Sequence, residues 1–403
     1  TGEGYNTIRF KAFGGLNASN ASYLTNIAYY YAAHPSYYST SRLMQFYAEV
    51  VRPMDTDYSR ALAGTIRPIR DDVESEDVYE STDYSLDGTT VTLQSHTIGN
   101  GVKILVVGDG FTDADIKSGK YDRSMEQAVE YFFDIEPYKT FRDRFDVINM
   151  RVVSATSVFD GSKNTAFESV IGPGTRIEGN LNTAYQKVYD VYGSLDDVLV
   201  IVVLNTKQYA GTCWMAGNTV SVAFCPMSEE YYYPFDTVIH HEAGGHGFAN
   251  LGDEYYYGGT ISESEKAEIR DWRNMYGWYQ NIDVTSDRSQ INWSDFLTDP
   301  LYSSTVGVYE GGYTYSYGVW RPTYESCMNS MYGDFNAPSR YAIYKRIMER
   351  SGESWSWDKF VEYDQVNRAS DAKPESGYQQ PAPADRPPHT PPVFVSPDTL
   401  PSF

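Results

Sequence analysis

The chain has 403 residues, with 54 acidic against 32 basic side chains and a net charge of −22. That balance leaves no basic face to track phosphates, so a nucleic-acid binder is not expected. Hydrophobic residues make up 41% and aromatics 15%, enough for a sizeable core and too much for wholesale disorder; no apolar run reaches the roughly 18 residues of a membrane-spanning helix.

The length suits two or three domains. The chain opens Thr-Gly-Glu-Gly without a methionine and reads as a mature or truncated product whose export signal, if any, has been removed. Residues 1–95 mix strand-like runs at 7–13, 42–51 and 89–94 with Ser, Asn and Asp turns, which predicts a small β-rich N-terminal domain. His34 stands alone there and reads as solvated or structural. From residue 96 the pattern changes. Residues 102–107 form a β-branched run ending in Gly108-Asp109-Gly110, and a helix follows with Met125, Ala128, Val129, Phe132 and Phe133 on one face. The spacing predicts a strand over 147–153, a helix over 182–191, and over 197–204 a strand covered on both faces. Strands alternating with helices signal an α/β layer. Residues 219–224 alternate between flanking Gly and Pro, which suits an edge strand. Cys213 and Cys225 sit twelve apart across a Gly-containing turn; they could bridge in an oxidising compartment or be two ordinary buried thiols. Nine of the nineteen prolines fall between 374 and 401. They predict a Pro-rich C-terminal arm over 371–403, either solvated or strapped over the preceding domain with Val393-Phe394-Val395 as its anchor.

The chemistry concentrates in one segment. Three of the six histidines, His240, His241 and His246, fall within seven residues, with Glu242 after His241 and Gly244-Gly245 before His246. The segment resembles the zinc-protease helix, in which two His one turn apart bind metal and the intervening Glu activates water. There the His lie four apart; here His241 and His246 lie five apart. At about 100° per residue, four positions separate two side chains by about 40° and five by about 140°. A regular helix therefore cannot aim both at one ion, but one extra residue taken up as a π-bulge can, and Gly244-Gly245 lies where the bulge must form. Two glycines inside a helix cost about 1 kcal/mol each, which makes better sense as site geometry than as generic helix. His240 points off the His241 face and is expected to pack or to support the ligands from behind. A zinc site needs a third protein ligand and an open water position. Asp253 and Glu254 follow His246 by seven and eight residues; a helix would climb about 10 Å in seven residues, so the chain must turn back, with Gly252 as a left-handed terminator. Asp253 is the expected third ligand, and Glu254 is expected to orient a ligand His. Residues 321–332 resemble the methionine turn of metzincins, with Met328 as a hydrophobic floor beneath the ligands and Tyr332 as a donor to a developing oxyanion.

Taken together, these stretches resemble the IgA-peptidase-type zinc metallopeptidases, in particular exported bacterial members. The resemblance also draws on Gly108-Asp109-Gly110-Phe111-Thr112, Glu136-Pro137-Tyr138-Lys139-Thr140-Phe141-Arg142-Asp143, Tyr209-Ala210-Gly211-Thr212-Cys213, Gly318-Val319-Trp320-Arg321-Pro322-Thr323 and Phe335-Asn336-Ala337-Pro338-Ser339-Arg340. It spans residues 96–368 and implies an α+β or α/β zincin-like, metzincin-like catalytic domain over 96–370. It further implies an endopeptidase that binds Zn2+ through His241 and His246, uses Glu242 as base and takes a polypeptide substrate outside the cytoplasm. Such a substrate is expected to add as a strand along 219–224, with the Tyr-rich stretch 309–320 as one wall of the cleft. Two other readings remain at this point: a catalytically silent exported binding protein on a peptidase scaffold, and a zinc hydrolase of a non-peptide amide. The intact Glu242 argues against the first.

Overall fold

The structure is a computed structural model. It describes residues 78–161, 164–331, 333–368, 371 and 391–403, together with the backbone of short strands between residues 15 and 63. The chain divides into two units: residues 1–76 with 381–387, and residues 77–380 with 388–403. In the first unit the described backbone is antiparallel. Gly15–Asn17 pairs with Tyr23–Leu24 and with Leu62–Ala63, while Thr40–Tyr47 pairs with Ile27–Tyr31, Val51–Arg52 and Asp57–Ser59. The predicted run at 7–13 and His34 lie outside the described residues.

The second unit is built on a seven-stranded, mostly parallel sheet. Its strands in chain order are β1 (Thr90–Gln94), β2 (Val102–Asp109), β3 (Phe145–Met150), β4 (Val198–Leu204), β5 (Thr212–Ala216), β6 (Val220–Pro226) and β7 (Val393–Phe394). Their spatial order is β7-β5-β6-β4-β2-β3-β1. β1 and β5 run antiparallel to their inner neighbours, and β2, β3, β4 and β6 are mutually parallel.

This topology moves two of the expected elements. The run at 89–94 belongs to the second unit, because β1 pairs with β3, so the first unit ends near residue 76 and not at 95. The run at 219–224 is an interior strand: β6 lies between β4 and β5 and every residue of it is buried. It offers no free edge, and a substrate cannot add to it.

Alternate residues of the sheet feed two cores, as strand periodicity requires. On one face Ile104, Val106, Leu199, Ile201, Val203 and Cys213 pack with Phe132, Phe133, Ile239 and Phe248. On the other Leu105, Val107, Val200, Val202, Val222 and Phe224 pack with Ala184, Tyr185 and Val188. The helices behind these contacts are Lys120–Phe133 on the first face and Leu181–Tyr192 on the second. Cys213, Cys225 and Cys327 are free and buried; Cys213 and Cys225 do not bridge. Among the C-terminal residues described, β7 runs parallel to β5, with Trp214 opposite Val393 and Met215 opposite Phe394. Val395 N donates to Met215 O at 2.8 Å, and the Phe394 ring lies among Trp272, Tyr276 and Trp278. Residues 372–390 lie outside the described residues. Among the described residues no helix is long and apolar enough to cross a membrane.

Candidate metal centre

A short α-helical turn, Phe235–Val238, leads from the sheet into Ile239–Phe248, which is wound as a π-helix. In that geometry each amide reaches back five residues, so positions five apart stack as positions four apart do in an α-helix. The π-winding covers all ten residues, wider than the single bulge expected from Gly244-Gly245. Close neighbours on three sides demand the glycines. A Cβ on Gly245 would lie 2.2 Å from Met328 Sδ, and one on Gly247 would lie 2.7 Å from Leu199 Cδ1. The Tyr138 hydroxyl donates to Gly244 O at 2.6 Å, which gives the Glu-Pro-Tyr stretch its place beside the helix.

The helix ends in a reversal. Ala249 N donates to Gly244 O at 3.2 Å and Leu251 N to Gly245 O at 2.9 Å. The left-handed residue is Asn250 (φ 51°), where Gly252 was expected. Gly252 is needed for space instead, since a Cβ there would meet Ile282 Cδ1 at 2.6 Å.

The reversal returns Asp253 to the two histidines. His241 Nε2 and His246 Nε2 are 3.1 Å apart, and Asp253 Oδ1 lies 3.2 Å from the first and 3.1 Å from the second. All three side chains are buried. The other ring nitrogens define what these atoms are. His241 Nδ1 lies 3.1 Å from Cys327 O, and His246 Nδ1 lies 2.8 Å from Leu251 O. A carbonyl only accepts, so each Nδ1 carries a proton, and each ring presents its Nε2 toward Asp253. Neither Asp253 oxygen has a hydrogen-bond donor among the described residues. Three atoms of metal-ligand type thus converge, buried, an arrangement that suits a cation. Tetrahedral ligands about 2.1 Å from one zinc lie about 3.4 Å apart, close to the separations seen.

Glu242 sits one residue beyond His241, buried, with Oε2 lacking a hydrogen-bond partner among the described residues. Burial pushes its carboxyl up to about 8, with His241 opposing and Asp253 adding to the rise. It lies over Gly211, where a Cβ would come within 2.6 Å of Glu242 Oε1. The residue before Ala210, Tyr209, stacks on Tyr233 and is half-buried near Glu242.

The remaining expected residues separate. Met328 is fully buried and lies against Gly245. Glu254 stays out of the ligand cluster; its carboxylate accepts from Asn281 Nδ2, Ser326 Oγ and Asn336 Nδ2. His240 faces away: its Nε2 lies 2.8 Å from Tyr131 O and 2.6 Å from Asp134 Oδ1, tying the helix to the end of Lys120–Phe133. Tyr332 lies outside the described residues. The hairpin of Tyr309–Gly312 and Tyr315–Arg321 lies against the third-ligand segment, with Tyr313 N donating to Asp253 O at 2.8 Å. Sequence reasoning missed Asn281, Ser326 and Asn336, and it missed the carbonyls of Cys327 and Leu251, which carry no residue-type signal.

The sequence model of IgA Peptidase M64 matches residues 91–301, just over half of the chain. The chain belongs to the IgA Peptidase M64 family. No curated protein matches it. The M64 match starts in β1 and takes in the π-helix, the reversal and Asp253; it ends before the methionine segment. Membership makes the chain a peptidase, a hydrolase acting on polypeptides. The buried His-His-Asp group is compatible with the metal that a metallopeptidase uses.

Proposed function

We propose that this M64 peptidase is a zinc-dependent, metzincin-like endopeptidase. The observation that carries the reading is the convergence of His241 Nε2, His246 Nε2 and Asp253 Oδ1, each within 3.2 Å of the others, with both Nδ1 protons committed to carbonyls. Two imidazoles and one carboxylate suit zinc and leave a fourth position for water. Bound there, zinc would lower the pKa of that water and polarise a scissile carbonyl.

The chain's own residues supply the rest. Glu242 takes the water's proton and hands it to the departing amine. Its burial one residue from His241 raises its affinity for a proton in the metal-free chain, in keeping with a group that accepts a proton and returns it. Asp253 contributes the single negative charge among the three ligands. Met328 keeps the helix seated by filling the space beside Gly245. Tyr332, from its place in the methionine segment, is proposed as the oxyanion donor. The resemblance to exported bacterial members carries the proposal that the enzyme works outside the cytoplasm.

The test is metal content and turnover together. The purified chain should hold one zinc, cleave unstructured protein substrates, lose activity to a chelator and regain it with zinc. A chain that cleaves peptides at full rate after exhaustive chelation would reject the reading.

A further inference from the structure

Glu254 is a carboxylate buried to zero exposure that the mechanism does not use. Its hydrogen-bond partners are neutral donors, and the charge of Arg321 also favours its ionised form. Burying a charge this way costs free energy unless its hydrogen bonds are complete, so its partners indicate what it does.

Oε1 accepts from Asn281 Nδ2 at 2.8 Å and Oε2 from Ser326 Oγ at 2.8 Å; Asn336 Nδ2 reaches Oε1 at 2.8 Å and Oε2 at 3.0 Å. Two of these arms lead to the ligands. Asn281 also grips the residue before Asp253: its Oδ1 accepts from Gly252 N and its Nδ2 donates to Gly252 O, both at 2.8 Å. Ser326 precedes Cys327, whose carbonyl lies 3.1 Å from His241 Nδ1. The main chain of Glu254 adds a third tie, its N donating to Met328 O at 2.8 Å. Asn336 anchors the hub to a rigid element, its Oδ1 accepting from Ser339 N at 3.1 Å to cap the helix Ala337–Ser351.

We propose that Glu254 is a positioning residue that, through Asn281 and Ser326, holds Asp253 and His241 at metal-binding separation before the metal arrives. This rests on the metal reading above. His241 lies on the π-helix and Asp253 on the reversal after it; the hub joins that reversal to the methionine turn, whose Cys327 carbonyl meets the His241 ring. A carboxylate is the group that can accept all four of these bonds, whereas an amide in its place would turn a donor toward Ser326 or Asn336.

Removing Glu254 outright risks misfolding, so the arms are tested singly in the full chain. Ser326→Ala and Asn281→Ala should each weaken zinc binding by about 10–100-fold in chelator competition, the range for partners behind a ligand. The Co(II)-loaded variants should show shifted visible absorption, and the gain in melting temperature on adding zinc should shrink. Ser326→Thr, which keeps the hydroxyl, should restore the affinity. If both variants lower the melting temperature of the metal-free chain but keep wild-type zinc affinity and Co(II) spectrum, the hub is structural only and the inference is overturned. A wild-type chain that takes up no zinc would overturn the metal reading and, with it, this inference.

Discussion

Gly245→Ala tests the helix geometry with the smallest perturbation available. The added methyl would sit 2.2 Å from Met328 Sδ and 2.9 Å from Met328 Cε. Ordinary contacts between heavy atoms fall at about 3.5–4.0 Å, so sulfur or helix must yield by more than about 1 Å. Met328 has little room to yield: it is fully buried, and its carbonyl accepts from Glu254 N at 2.8 Å. Overpacking of this kind costs about 1–3 kcal/mol. Replacing glycine inside a helix returns about 1 kcal/mol, so the net loss should be about 0–2 kcal/mol. Urea unfolding of the metal-free chain measures it. Met328→Ala alone should cost about 2–5 kcal/mol by leaving a cavity. The double variant should lose less than the sum by about 1–3 kcal/mol, because the new methyl enters the space the thioether vacates. Gly244→Ala serves as the control, since its Cβ would meet Tyr138 Cε2 at a milder 3.2 Å. Strict additivity of Gly245→Ala and Met328→Ala would refute the packing argument, and with it the role of Met328 as the floor under the ligand helix.

Glu242→Gln should keep zinc at one per chain while turnover falls at least about 100-fold, the lower end of what a general base contributes; wild-type turnover with zinc in place would reject the assigned role. Asp253→Ala should lose zinc by more than the roughly 100-fold upper bound for a group behind the ligands, whereas His240→Ala, whose ring bonds Tyr131 O and Asp134, should bind zinc as the wild type does in the same titration. Tyr138→Phe removes the 2.6 Å bond to Gly244 O and should cost about 0.5–1.5 kcal/mol in urea unfolding. Phe394→Ala empties a half-buried ring site among Trp272, Tyr276 and Trp278 and should cost about 2 kcal/mol, below the range for a fully buried Phe; an unchanged unfolding midpoint would mean that β7 does not hold the sheet edge.

Local periodicity made the parallel core of the fold legible. The run that became Val198–Leu204 is apolar without alternation and is buried along its whole length, and the apolar stripe of Lys120–Phe133 meets the sheet as the spacing predicts. What failed was membership. The residues of Thr90–Gln94 read as a strand and are one, but pairing with Phe145–Met150 is a fact about a distant segment, and so the domain boundary fell too late. The run at 219–224 has the Gly and Pro flanks of an edge strand. The true neighbours of the strand Val220–Pro226 are Val198–Leu204 on one side and the short Thr212–Ala216 on the other, and the latter has no periodicity long enough to read. The side chains of Cys213 and Cys225 enter the same core from strands that share no cross-strand Cys pair: Cys213 faces Ala223, and Cys225 faces Val203.

The metal site divides along the same line between residue chemistry and long-range placement. His241, Glu242, His246 and Asp253 stand out in the sequence because few other side-chain types serve metal ligation or proton transfer, and the structure brings His241, His246 and Asp253 together as a group that could hold a metal. Their five-residue spacing called for an unusual helix, and glycines where neighbours crowd the backbone were its visible trace; that the π-winding extends over Ile239–Phe248 follows from Leu199, Met328 and Tyr138 pressing on three different sides. The protonation of the ligands had no trace at all. Each histidine is set by a backbone carbonyl, Cys327 O and Leu251 O, which any residue could supply. The position of Cys327 O in turn depends on Ser326, and through Glu254 on Asn281 and Asn336, three neutral residues far apart in the chain. In isolation none of them suggests a metal. The choice between Asp253 and Glu254 shows why the arrangement needs both carboxylates: adjacent side chains leave a turn in divergent directions, so one enters the site and the other enters the protein, where its four hydrogen bonds can act on the ligands from behind.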